Sequence, residues 1–241
     1  MSCKVVREDR LLRVTLARPE KRNALNAALC RAIVEAVESA DPASTGAILL
    51  DAEGPSFCSG MDLGDSLQTD PVALAALHER LFTLGRRTRV PIVAHVQGHA
   101  IAGGLGLVAN AHLVIADEAA RFGLTELRVA IWPFLIYRAV EEAIGARRTL
   151  AWSLTADTHS AAEAREAGLV HMVGNAESAQ AAALELTSRQ PDAVRFGMRY
   201  YRESRGLDHG AAGALAAKLR GELMNTPGYA DAVRTFQAGK K

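Results

Sequence analysis

Apolar residues in this chain fall in short unbroken runs, and between the runs they recur at helical spacing. Residues 4–6 and 11–16 read as two strands around the polar turn Glu8-Asp9-Arg10, a hairpin signal. A polar loop broken by Pro19 follows over 17–26. Asn26 suits the N-cap of a helix over 27–39, where Leu29, Ile33, Val34 and Val37 mark one face. After a turn at 41–46, the run 47–51 predicts a buried strand. A glycine-bearing loop over 54–63 comes next. Val72, Leu74, Leu77, Leu81 and Leu84 then predict a helix over 70–87. The runs 90–96 and 113–117 are further strands, and 121–126 reads as extended. A helix starts near Leu135, after the bulky Ile131-Trp132-Pro133-Phe134, and others follow over 149–155 and 160–167. Ser160 and Glu163 hold the capping-box positions of the last of these, and Gly168 stops it. Residues 169–173 form a short strand. The strand–helix alternation predicts an α/β core. Residues 176–239 carry helical signal and no strand signal, which predicts a helical appendage.

The run Gly98-His99-Ala100-Ile101-Ala102-Gly103-Gly104-Leu105-Gly106 sits where a strand ends and a helix begins. Glycines there allow unusual dihedrals and close approach of a ligand to the backbone. The following helix start offers free N–H groups and the positive end of a dipole. Three readings stand side by side. Small residues serve close helix–sheet packing. Gly104-Leu105-Gly106-Leu107-Val108-Ala109 fits the dinucleotide pattern G-x-G-x-x-A, with Glu126 about twenty residues on; yet the strand at 113–117 ends too early to present Glu126 to a ribose. The third reading is an oxyanion hole, which needs a second N–H donor from elsewhere. The loop at 54–63 is a candidate source for it.

Composition narrows the partners. With 241 residues, 49% of them hydrophobic, the chain can bury a sizeable core. A net charge of +1 gives no electrostatic case for nucleic acid. Cys3, Cys30 and Cys58 make no metal-ligand spacing and read as reduced thiols. The first ten residues lack the apolar stretch of a signal peptide, and no run approaches membrane-span length. The expectation is a cytoplasmic protein with no membrane partner. His95, His99 and His112 lie close in sequence, but packing or solvent exposure accounts for them better than a metal.

Several stretches together resemble the enoyl-CoA hydratase/isomerase family, the crotonase superfamily. Arg18-Pro19-Glu20-Lys21-Arg22-Asn23-Ala24-Leu25-Asn26 is similar to its R-P-x-x-x-N-A-L-[ND] loop, and Phe57-Cys58-Ser59-Gly60-Met61-Asp62-Leu63 to its F-[SC]-[AS]-G-x-D-L loop. The run from Gly98 to Gly104 resembles G-x-A-x-G-G-G, and Phe122-Gly123-Leu124-Thr125-Glu126 resembles F-x-x-P-E. Residues 160–170 resemble [ST]-A-x-E-A-x-x-x-G-L-V, and 229–236 the closing E-G-x-x-A-F. Six motifs in order over nearly the whole chain make the resemblance specific. It implies an α/β fold: a crotonase-like spiral core of repeated ββα turns in two roughly perpendicular sheets. The core would span 1–190. A helical region over 191–241 would make homotrimers, often paired as dimers of trimers. The substrate would be an acyl-CoA thioester, with no cofactor beyond the coenzyme A it carries.

The resemblance also implies the chemistry. Such enzymes form a thioester enolate whose charge is received by two backbone N–H groups. The motifs place these at Met61 and Gly103, with Ser59, Gly60, Asp62, Leu63 and Gly104 beside them. Asp62 also suits a loop-pinning role. Lys21, Arg22 and the Ala24–Leu25 backbone would hold the nucleotide end of coenzyme A, and Lys240 and Lys241 its phosphates. Enoyl-CoA hydratases use two glutamates. The second matches Glu126; the first falls at Gly106, which has no side chain. Where I-P-G is common, Trp132 and Phe134 stand near the acyl group, and Phe134 would crowd the space for water. One carboxylate suffices to shift a double bond, so the expectation is an enoyl-CoA isomerase with Glu126 as base and acid. A hydratase, a decarboxylase, a dehalogenase, a thioesterase, a coenzyme A binder without catalysis and, more remotely, an NAD-dependent oxidoreductase are the alternatives.

Overall fold

A computed structural model describes residues 2–66 and 68–239. The N-terminal hairpin forms from β1 (Cys3–Glu8) and β2 (Leu11–Leu16), paired antiparallel. Helix α1 (Ala27–Glu38) starts at Asn26, whose Oδ1 accepts from the Leu29 N–H at 2.9 Å, a cap worth about 1 kcal/mol. Strand β3 (Ala47–Ala52) follows, then the short helix α2 (Leu63–Ser66).

The helix expected over 70–87 is two helices, α3 (Pro71–Phe82) and α4 (Leu84–Arg87). The break has a cause on another element. Buried Asn110 donates to the Phe82 carbonyl at 2.8 Å and accepts from the Gly85 N–H at 2.9 Å. These bonds replace those the helix forgoes.

Strand β4 (Ile92–Val96) begins two residues later than expected. Beyond it lies a strand that periodicity did not reveal, β5 (His99–Ile101), before α5 (Gly103–Ala109). Then come β6 (Leu113–Ala116), β7 (Arg121–Gly123), a 3₁₀ turn (Glu126–Val129), α6 (Phe134–Ile144) and α7 (Ala146–Thr155). Strand β8 (His159–Ser160) leads into α8 (Ala161–Ala167), which carries the capping box and ends at Gly168 in the left-handed region. Of the strand expected over 169–173 only β9 (Met172–Val173) pairs. Four helices close the chain: α9 (Ala176–Ser188), α10 (Pro191–Glu203), α11 (His209–Met224) and α12 (Pro227–Ala238).

The strands form two sheets, β1-β2-β3-β4-β6-β9 and β5-β7-β8. From β4 onward each strand of the larger sheet has a neighbour in sequence in the smaller one, which is the ββα repeat the resemblance implies. The larger sheet is parallel from β2 onward and covered on both faces. Along β3, Ile48 and Leu50 enter the main core with α1, α3 and α5, while Ala47 and Leu49 pack with Ala179 and Ala183 of α9. This period-two split explains why β3 reads as a continuous apolar run. It also corrects the appendage reading at its start: α9 is part of the sheet's covering. Among the described residues no helix is long and apolar enough to cross a membrane.

Candidate active site

Three loops converge at one end of the sheets. Asn23, fully buried with φ +54°, ties the first to the second: its Nδ2 donates to the Glu53 and Ser56 carbonyls at 2.9 and 2.8 Å. Its Oδ1 accepts from the Arg18 N–H at 2.8 Å. The second loop is stitched to the third by Cys58, which donates to the His99 carbonyl and accepts from Ile101. The third loop is tied to β7, where the Ala102 N–H donates to the Gly123 carbonyl at 2.8 Å. Ala102 holds φ +51° and ψ −119°, a strained conformation for a residue with a Cβ.

These ties present two backbone N–H groups. Leu25 and Met61 form a parallel bridge in which the Leu25 N–H donates to Gly60 and the Leu25 carbonyl accepts from Asp62. In such a bridge the N–H of Met61 points away from Leu25. Gly103 is the first residue of α5, where an N–H has no intrahelical acceptor. The two loops touch at Gly60, which holds φ +91°. A Cβ there would sit 3.0 Å from Ala102 Cβ and 3.4 Å from the Gly103 nitrogen. Only glycine lets the loops approach so closely.

A cavity of about 420 Å³ opens beside these groups. Of the residues expected at the site, Leu25, Ser59, Met61, Leu63, Gly103, Glu126, Trp132 and Phe134 line it. Glu126 opens the 3₁₀ turn, and its Oε2 is buried without a hydrogen-bond partner. Burial pushes its carboxyl from an ordinary 4.5 up to about 7. Phe134 stands at the rim, 76% exposed, so it does not fill the cavity as expected. The crowding falls elsewhere. A Cβ on Gly106 would lie 2.4 Å from Ile136 Cγ2 and 2.9 Å from Phe82 Cδ1, so no side chain fits there.

Other expected residues lie outside the cavity lining. Gly60 and Gly104 are buried behind it, Gly104 against the Cys58 carbonyl. Asp62 pins its loop, as the turn reading had it. One oxygen accepts from Arg18 at 3.0 Å and the other from the Asp65 N–H, and the Arg18 hydrogen bond draws its carboxyl below the usual range despite some burial. The Ala24 N–H donates to Lys21, and its carbonyl accepts from Arg18. With the Leu25 N–H also engaged, neither amide is available to coenzyme A. Lys21 and Arg22 are exposed on the loop surface. Lys240 and Lys241 lie outside the described residues. His95 bonds Asp117 at 2.9 Å, and His112 bonds the Ile92 N–H and the Gly85 carbonyl, so both are structural.

One lining residue escaped the sequence reading. His78 of α3 is buried in the cavity wall with its Nε2 unpartnered. The signal was present: an imidazole one turn after Leu74 and beside Leu77 on an apolar face.

The family model for enoyl-CoA hydratase/isomerase matches residues 7–231. The probable enoyl-CoA hydratase echA6 of Mycobacterium bovis is 30% identical over 208 residues, covering 85% of this chain and 84% of the relative. The enoyl-CoA hydratase EchA19 of Mycobacterium tuberculosis is 32% identical over 219 residues, covering 83% and 80%. Among solved structures, an enoyl-CoA hydratase of Mycobacterium smegmatis superposes with a TM-score of 0.93 at 26% identity, over 99% of this chain and 97% of that one. With the loops, the two sheets and the cavity in the same chain, the protein belongs to the enoyl-CoA hydratase/isomerase family.

Proposed function

We propose that the protein shifts the double bond of an acyl-CoA thioester, as a Δ3,Δ2-enoyl-CoA isomerase. The observation that carries this reading is the solitary carboxylate: Glu126 lines the cavity, and Gly106, where a hydratase's other glutamate falls, is walled in by Ile136 and Phe82. In this reading the Glu126 carboxylate removes a proton from C2. Electron density moves to the thioester oxygen, which accepts from the Met61 and Gly103 N–H groups. The protonated Glu126 then delivers the proton to C4, and the double bond ends between C2 and C3. Protons and electrons balance without water. A carboxyl that must both take and return a proton works best with its pKa near ambient pH, which burial supplies here. The soluble assembly in this reading is a homotrimer or a dimer of trimers.

The names of the relatives favour a second reading, hydration. One experiment separates the two. The protein is mixed with a 3-enoyl-CoA and, separately, with a 2-enoyl-CoA, and the absorbance of the conjugated thioester is followed. Isomerisation raises it in the first mixture and leaves the second unchanged. A fall in the second mixture supports hydration and overturns the one-carboxylate argument. Silence in both, with coenzyme A thioester still bound, points to another chemistry of the superfamily or to a binder without catalysis.

A further inference from the structure

Two residues lining the cavity carry buried polar atoms without a protein partner. One is Glu126; the other is His78, whose Nε2 is unpartnered. His78 is only 6% exposed. It shares the buried face of α3 with Leu74, Leu77, Leu81 and Phe82, and its ring lies 5.7 Å from that of Phe82, tilted by 46°. Burial lowers its proton affinity, against a weaker opposing pull from Asp65. The ring is therefore neutral at pH 7, with one donor and one acceptor to offer. A leucine would complete the apolar stripe without leaving a hydrogen bond unmade. Buried polar atoms in native proteins are nearly always paired, and an exception in a ligand cavity points to the ligand.

We propose that His78 is a specificity residue that hydrogen-bonds an oxygen on the acyl chain, so that the cavity selects acyl-CoA thioesters bearing a hydroxyl or keto group beyond the reacting carbons. The inference rests on the acyl-CoA reading of the cavity, and holds whether the reaction is isomerisation or hydration. A plain alkyl chain covers Nε2 and leaves it unpaired. A chain with an oxygen in reach restores the bond. Sites built around a polar partner reject the analogue that lacks it more strongly than apolar pockets reject an added group.

The test is calorimetric titration of the full chain with octanoyl-CoA, with hydroxyoctanoyl-CoA isomers whose hydroxyl is walked from the fourth carbon outward, and with the matching keto compounds. These saturated thioesters report binding without a double-bond shift. We expect one oxygenated isomer to bind about tenfold tighter than octanoyl-CoA, the scale of one added hydrogen bond. His78→Leu abolishes that preference while binding octanoyl-CoA at least as well as the native protein. His78→Gln keeps part of it. His78→Met serves as the apolar variant should His78→Leu fail to fold. A native protein indifferent to the oxygen, or a preference that survives in the apolar variant, overturns the inference while leaving the acyl-CoA reading intact. Failure of octanoyl-CoA itself to bind removes the underlying reading, and the inference with it.

Discussion

Replacing Glu126 with glutamine separates what burial does to this carboxyl from what the carboxyl does to a substrate. In the native state the group holds its proton up to about pH 7; in the unfolded chain it releases it near 4.5. Below 4.5 both states are protonated and the group favours neither. As pH rises through 4.5 the unfolded chain ionises first and gains, so native stability falls until the folded group ionises near 7. Beyond that the loss is constant. At about 1.4 kcal/mol per pKa unit the full loss is ~3 kcal/mol. Glutamine has the same shape and no proton to lose. Urea unfolding of the two proteins at pH 5 and pH 8 should therefore show the glutamine variant gaining about 2–3 kcal/mol on the native protein across that interval. A gap that does not change with pH would mean the carboxyl is not desolvated, and both its acid and base roles lose their basis. The same substitution should cut turnover of a 3-enoyl-CoA by roughly 10²–10⁴-fold, the usual contribution of a positioned acid–base group. Binding of octanoyl-CoA should survive.

Three further outcomes follow from the packing. Gly106→Glu should not install hydration: its first side-chain carbon already meets Ile136 at 2.4 Å, so urea unfolding should show a loss of about 1–3 kcal/mol or more. A stable variant that hydrates 2-enoyl-CoA would refute the packing argument. Gly60→Ala strains a φ of +91° and pushes on Ala102 beside the Gly103 nitrogen, so turnover should drop by roughly a hundredfold or more, the order seen when one oxyanion donor is displaced; unimpaired kinetics would show that the loop contact does not hold the donors. Sedimentation velocity should give a particle of three chains of 25.7 kDa, or twice that; a monomer would refute the assembly the resemblance implies.

Legibility in the sequence followed the range of the forces involved. The hairpin, the Asn26 cap and the Ser160–Glu163 capping box depend on neighbours a few residues away, and all three could be read directly. The break at Thr83 could not, because Asn110 supplies its replacement bonds from far along the chain. Strand β5 is three residues long with His99 exposed, too short for alternation to show. Helix α9 looked detachable because its apolar residues are alanines, which carry little weight in a pattern but fit closely against the sheet. The site divides the same way. Met61 and Gly103 act through backbone N–H groups, so no side chain advertises them; they were found through the residues that shape their loops. His78 was hidden by its neighbours, since its helix reads as core with or without it.

The polar complement of the cavity bears on the chemistry more than the overall fold does. A hydration site must hold water where it can be activated, which takes a second polar side chain and space. Here that place is taken by Ile136 and Phe82, two apolar groups in contact with a bare glycine. The same apolar surroundings raise the proton affinity of Glu126. Exchanging Gly106 for a glutamate's position thus changes two things together: it removes the group that would fix water, and it dries the one carboxyl that remains. A dry carboxyl near neutrality is half protonated, suited to lifting a proton and setting it down again two carbons away. The loss of one catalytic group and the tuning of the other are in this sense one packing event, the close approach of α6 to α5.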